Sequence, residues 1–109
     1  MDQAQTQSQM NACAQQAFES TTADYSAAYR QLSQSVGNKQ RQLLRQVQTE
    51  WMEYRVKACE FERNGVAGGS AAPMVFALCQ ARITRERTAE LQRHLHCEEG
   101  DLSCVRPSR

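Results

Sequence analysis

Between Leu44 and Phe61 the residues Leu44, Val47, Trp51, Tyr54, Ala58 and Phe61 return at steps of 3, 4, 3, 4 and 3. That rhythm keeps side chains on one side of a 3.6-residue helix and alternates them across a strand, so it commits the segment to an amphipathic helix. The other face carries Gln40, Arg41, Arg45, Gln48, Glu53 and Lys57. The spacing predicts a helix over 39–63, closed by Asn64-Gly65, with Trp51 and Tyr54 packed in the core and their polar tips satisfied.

Two more segments carry helical spacing. In residues 8–36 the stripe is Met10, Cys13, Ala17, Thr21, Ala28, Leu32 and Val36, with Tyr25 and Tyr29 on or beside it. Gly37-Asn38 is expected to stop this helix, because both residues tolerate left-handed cap geometry. In residues 73–96, Pro73 suits a first helical position. Met74, Leu78, Ala81, Leu91 and Leu95 supply the stripe, and Arg82, Arg85 and Arg87 interrupt it, so this helix is expected to be partly exposed. The stretch from Gly65 to Pro73, with Gly68-Gly69-Ser70, reads as a loop. Residues 97–109 read as a disulfide-closed turn and tail. With short connections and no internal repeat, the expectation is one domain, an all-α, up-down-up three-helix bundle stabilised by disulfides.

Bulk composition narrows the function. Thirteen basic against 12 acidic residues leave a net charge of +1, a poor basis for wrapping nucleic acid or coating a membrane. No apolar run approaches the ~20 residues of a membrane span. There is no Gly-x-Ser-x-Gly elbow and no phosphate-binding glycine loop, and the two histidines, His94 and His96, sit far from any paired nucleophile. His94, His96 and Cys97 resemble a ligand set, but helix positions two apart face different ways and the close Cys or His pairs of a structural zinc site are missing. No Cys-x-x-Cys supports thiol oxidoreduction. The chain is therefore read as a non-enzyme with no metal, cofactor or small-molecule substrate.

Five cysteines in 109 residues suit an exported, oxidised protein better than a cytosolic one. The start, Met1-Asp2-Gln3-Ala4-Gln5, has neither the basic nor the apolar part of a secretory leader. The reading is that a leader has been removed and Met1 added, and that a cysteine mate upstream could have left with it. Cys59 lies 10 residues before Gly69 and Cys79 lies 10 after it, so a bend there sets both at one level on adjacent antiparallel helices. Cys97 and Cys104 bracket a six-residue turn and can pair locally. Cys13 is left unpaired. Folding back at Gly37-Asn38 also brings Cys13 near Cys59 and Cys79, so spacing leaves the connectivity open.

The order of these signals resembles a known family. Met10-Asn11-Ala12-Cys13-Ala14 precedes Tyr29 and Leu32. Gln48-Thr49-Glu50-Trp51-Met52-Glu53-Tyr54-Arg55 leads into Cys59-Glu60, and then come Gly68-Gly69-Ser70, Cys79, Thr84-Arg85-Glu86-Arg87 and Glu90-Leu91. This pattern looks like the LprI-type lysozyme-inhibitor domain family, over roughly residues 10 to 104. The ending from Cys97 to Cys104 resembles its YecT-like branch. The resemblance implies a periplasmic or secreted protein with lysozyme as its partner. It supplies no inhibitory residue set, so Trp51, Tyr54, Arg55 and Arg87 are read as structural, with Arg55 expected to reach a carboxylate such as Glu90 or a helix end.

For a lysozyme inhibitor, a rigid acidic projection would complement a basic enzyme. Glu98, Glu99 and Asp101, between Cys97 and Cys104, are the first candidate. Gly68, Gly69 and Ser70, whose small side chains could enter a narrow groove, are the second. The competing reading is an envelope adaptor that uses Arg82, Arg85, Arg87 and Arg93 on the third helix.

Overall fold

A computed structural model describes residues 6–105; the expected tail over 106–109 and the start over 1–5 lie outside the described residues. Helix α1 spans Gln7–Ser35, α2 Asn38–Asn64 and α3 Ala72–Leu95, and the three form an all-α, up-down-up bundle. Thr6 begins α1 with a capping box: its hydroxyl accepts from the Gln9 backbone N–H, and the Gln9 side chain accepts from the Thr6 backbone N–H, each at 3.1 Å.

The α1 to α2 turn departs from expectation. Val36 and Gly37 are extended and Asn38 is already helical, so no left-handed cap forms. Arg41, from the first turn of α2, replaces it. Its Nε donates to the Ser33 carbonyl at 2.8 Å and its Nη2 to the Val36 carbonyl at 2.7 Å. A cation thus sits on the carbonyls that α1 leaves unpaired, where the helix end is negative. Left-handed geometry appears instead at Gly68, with φ 83°, inside the turns between α2 and α3.

Helices α1 and α3 run parallel. Near their starts the Asn11 side chain donates to the Ser70 carbonyl at 3.1 Å, and further along Leu32 and Val36 share a cluster with Leu91 and Leu95. Their backbones approach closely because the facing residues are small: Ala14, Thr21 and Ala28 on one helix, Ala77, Ala81, Thr84 and Thr88 on the other, all buried. The hydroxyls there are satisfied within their own helices, Thr21 by the Phe18 carbonyl at 2.8 Å and Thr88 by the Thr84 carbonyl at 2.9 Å.

Burial corrects the expected stripes at several positions. Tyr54 is 61% exposed and Phe61 83% exposed, so neither is core, and Val47 and Leu78 are exposed as well. Trp51 is half-buried, between them and the bundle. The physical cause is geometric: a 3,4 pattern on a helix holds two rows about 60° apart, and α2 turns only one of them to the bundle. Leu44, Trp51 and Ala58 stay against the bundle while the companion row Val47, Tyr54 and Phe61 turns to solvent. Despite its arginines, α3 is the most buried helix, because Ile83, Thr84 and Thr88 point inward between them.

Candidate functional site

Two disulfides fix the ends of the hairpin and the terminal turn. Cys59 and Cys79 are joined with a Cα separation of 5.5 Å, both buried against Ile83, and Cys97 and Cys104 are joined with a Cα separation of 6.0 Å. Cys13 is free and half-buried. With Cys59 and Cys79 bonded to each other, the alternative pairings through Cys13 are not formed.

The terminal turn is organised by its own polar groups. Gly100 has φ 87°, a conformation open to glycine, and lets the chain reverse. The Asp101 carboxylate accepts from the Ser103 backbone N–H at 3.0 Å and from the Ser103 hydroxyl at 2.6 Å, and these bonds hold its carboxyl below the usual range. Arg93 donates to the Ser103 hydroxyl at 3.0 Å and lies 4.0 Å from Asp101. His94 Nδ1 accepts from the Val105 backbone N–H at 3.2 Å. Burial, and then the neighbouring Arg93 charge, lower its pKa and favour the neutral ring this acceptor needs. All three carboxylates are exposed, but Asp101 is tied into the turn by its bonds to Ser103, whereas no hydrogen bond or ion pair is seen at the side chains of Glu98 and Glu99 among the described residues. Between them and Cys104 stands Leu102, 99% exposed, a side chain that sequence reasoning passed over and that the spacing of the tail did not flag.

The second candidate, Gly68-Gly69-Ser70, is exposed and lies at the other end of a molecule 52 Å long. It is pinned by the Asn11 bond to Ser70 and flanked by Arg63, whose guanidinium lies 4.2 Å from the Phe76 ring centroid. The two candidate elements are thus separate surfaces and cannot act as one site.

The positions named for the family resemblance split. Trp51 stacks on Tyr25 with centroids 4.7 Å apart, and Tyr25 donates to the Gln48 side chain at 2.7 Å. Burial pushes the Tyr25 hydroxyl up to about 12, only partly opposed by the Arg87 and Arg55 charges. Arg55 does not reach Glu90 or a helix end. Its Nη1 donates to the Thr84 hydroxyl at 3.1 Å, and its guanidinium lies over the rings of Trp51, at 4.8 Å, and Phe18, at 5.2 Å. Arg87 pairs with Glu90 one turn along its own helix, at 2.9 Å. The α3 arginines offered for an adaptor are largely engaged: Arg82 with Glu62 of α2 at 2.7 Å, Arg87 with Glu90 and Arg93 with the terminal turn. Among the described residues no group of three or more His, Cys, Asp or Glu side chains converges as a metal site, and no helix is long and apolar enough to cross a membrane.

A helical chain with a disulfide-locked hairpin and this Trp-x-x-Tyr-Arg segment is matched by one family model, lysozyme inhibitor LprI, over residues 1–91. The chain belongs to the LprI family. It is an inhibitor domain family rather than an enzyme family. An uncharacterised protein of Rhizobium meliloti (strain 1021), R02472, is 29% identical over 108 residues, covering 87% of this chain and 78% of that protein. No solved structure matches the chain. The LprI match includes the Gly68 to Ser70 loop and stops before the turn from Cys97 to Cys104, on which the likeness to the YecT-like branch rests.

Proposed function

We propose that this LprI-family protein is an exported, periplasmic or secreted, lysozyme inhibitor that works by occluding the enzyme's active-site cleft, and that the Cys97–Cys104 turn is the part that enters it. The observation that carries this reading is the turn itself. A short disulfide-closed reversal, stiffened by Asp101, Ser103 and Arg93, holds Leu102 fully exposed beside the exposed Glu98 and Glu99. An apolar anchor with acidic neighbours, already ordered before binding, suits a basic partner and limits the entropy lost on docking. Asp101 shapes the turn in this reading, while Glu98, Glu99 and Leu102 make the contact.

The test is the clearing of a peptidoglycan suspension by a c-type lysozyme with and without excess protein, at low and physiological salt. Dose-dependent protection is expected, weakened by Glu98→Lys/Glu99→Lys and by Leu102→Ser. Protection that survives all three changes moves the contact to Gly68-Gly69-Ser70, the end inside the family match. No protection against c-, g- or i-type enzymes leaves the second reading, an envelope adaptor. That reading is favoured by the exposed row Leu43, Val47, Tyr54 and Phe61 along α2.

A further inference from the structure

Helix α2 stands off from α1, and a groove of about 300 Å³ opens between them, lined by Thr22, Tyr29 and Arg30 on one side and Trp51, Met52 and Arg55 on the other. Two polar atoms of residues that line it, Arg55 Nε and the Thr22 hydroxyl, are shut off from solvent without a hydrogen-bond partner among the described residues, so a ligand reaches the Arg55 Nε only as the guanidinium swings toward the groove. Such orphans are uncommon in folded proteins, and each calls for an explanation. The groove holds two guanidinium groups, and no carboxylate among the described residues lines it or pairs with either. Arg55 has a hydroxyl and two aromatic rings for company, and its partial burial already lowers its pKa. Among the described residues no carboxylate neutralises this charge.

We propose that the α1–α2 groove binds a small organic carboxylate of about the size of a hexuronic acid, with Arg55 and Arg30 pairing its carboxylate and Thr22 and Tyr29 contacting its body. The Nε edge of a guanidinium offers the fork that a planar carboxylate accepts. The volume is at the small end of ligand sites, which limits the occupant to about one ring. Engaging Arg55 draws its guanidinium off the Trp51 ring. Trp51 is the chain's single tryptophan, so its emission reports the event.

The experiment titrates the full chain with glucuronate at low ionic strength, with glucose and inorganic phosphate as controls, following Trp51 fluorescence. A saturable change with glucuronate and none with glucose is expected. Arg30→Gln, at the exposed rim, weakens binding about threefold, in keeping with an exposed ion pair. Arg55→Gln, checked by circular dichroism for retained helix, weakens it about tenfold or more. A flat titration, an equal response to glucose, phosphate binding as tight as glucuronate, or a Kd unmoved by both substitutions overturns the proposal. The lysozyme assay is separate from this one, so either reading can fail alone.

Discussion

Helices α1 and α3 meet largely through alanine and threonine, with Leu32 and Leu91 closing one end, whereas α2 meets the other two through Trp51, Arg55, Leu44 and one cysteine. Five residues of α1 and nine of α3 are buried, but in α2 only Cys59 is. Small residues let two backbones come close and exclude water without large side chains, at the cost of tolerating no added volume. Large residues reach across a wider gap, leave grooves beside them, and need a fastening. In this molecule the fastening is the Cys59–Cys79 bond, reinforced by the Arg82–Glu62 ion pair. One interface is held by fit and the other by attachment.

Removing the attachment has the largest expected effect. Cys59→Ser/Cys79→Ser releases a crosslink across 20 residues and costs about 3 kcal/mol in urea unfolding. Amide exchange should rise more in α2 than in α1 and α3; equal acceleration in all three helices would refute the contrast. Ala81→Leu tests the other interface. It places a large side chain at a position with no exposure, and overpacking costs about 2 kcal/mol. A neutral outcome would mean that the seam between α1 and α3 can spread.

Tyr25 connects the two interfaces and gives a smaller effect. Tyr25→Phe removes its bond to Gln48 and costs about 1 kcal/mol. The native hydroxyl is raised from 10.0 to about 12 by burial, so its contribution is complete below pH 10 and is lost as pH rises toward 12. The stability of the wild type should therefore fall more steeply than that of Tyr25→Phe over that window, in parallel denaturant titrations. The smallest effect belongs to the outer row of α2. Phe61→Ser should change stability by no more than about 0.5 kcal/mol, since the ring is 83% exposed; a loss above 1 kcal/mol would show that the row is covered in solution.

The same contrast explains what could be read from the chain. The helices followed from spacing, and Gly68-Gly69, flanked symmetrically by Cys59 and Cys79, marked the bend; the choice of Cys59–Cys79 over a pairing through Cys13 came only with the fold. The facing of α2 did not follow. A 3,4 pattern contains two rows about 60° apart, and only tertiary contact decides which row packs; here it is the row of Trp51, not that of Tyr54. The burial of α3 was masked by Arg82, Arg85 and Arg87, since the residues packing against α1 are alanines and threonines that carry little hydropathy signal. The acidic turn was legible as a closed loop, but the inward use of Asp101 and the outward Leu102 depend on hydrogen bonds that spacing does not encode.

The parallel run of α1 and α3 has an electrical consequence. Their peptide dipoles add, and the antiparallel α2 cancels only one of them, so the bundle retains about one helix's worth, near half a charge at each end. The positive pole lies by Gly68-Gly69-Ser70 and the negative pole by the Cys97–Cys104 turn. Glu98 and Glu99 thus stand where negative potential already gathers, a placement that works against local stability and concentrates the field. Arg41 covers the α1 carbonyls at that pole and Arg93 is tied to the turn, so the anionic character left there is local to Glu98 and Glu99, and a molecule with a net charge of only +1 offers them to a cationic partner end-on.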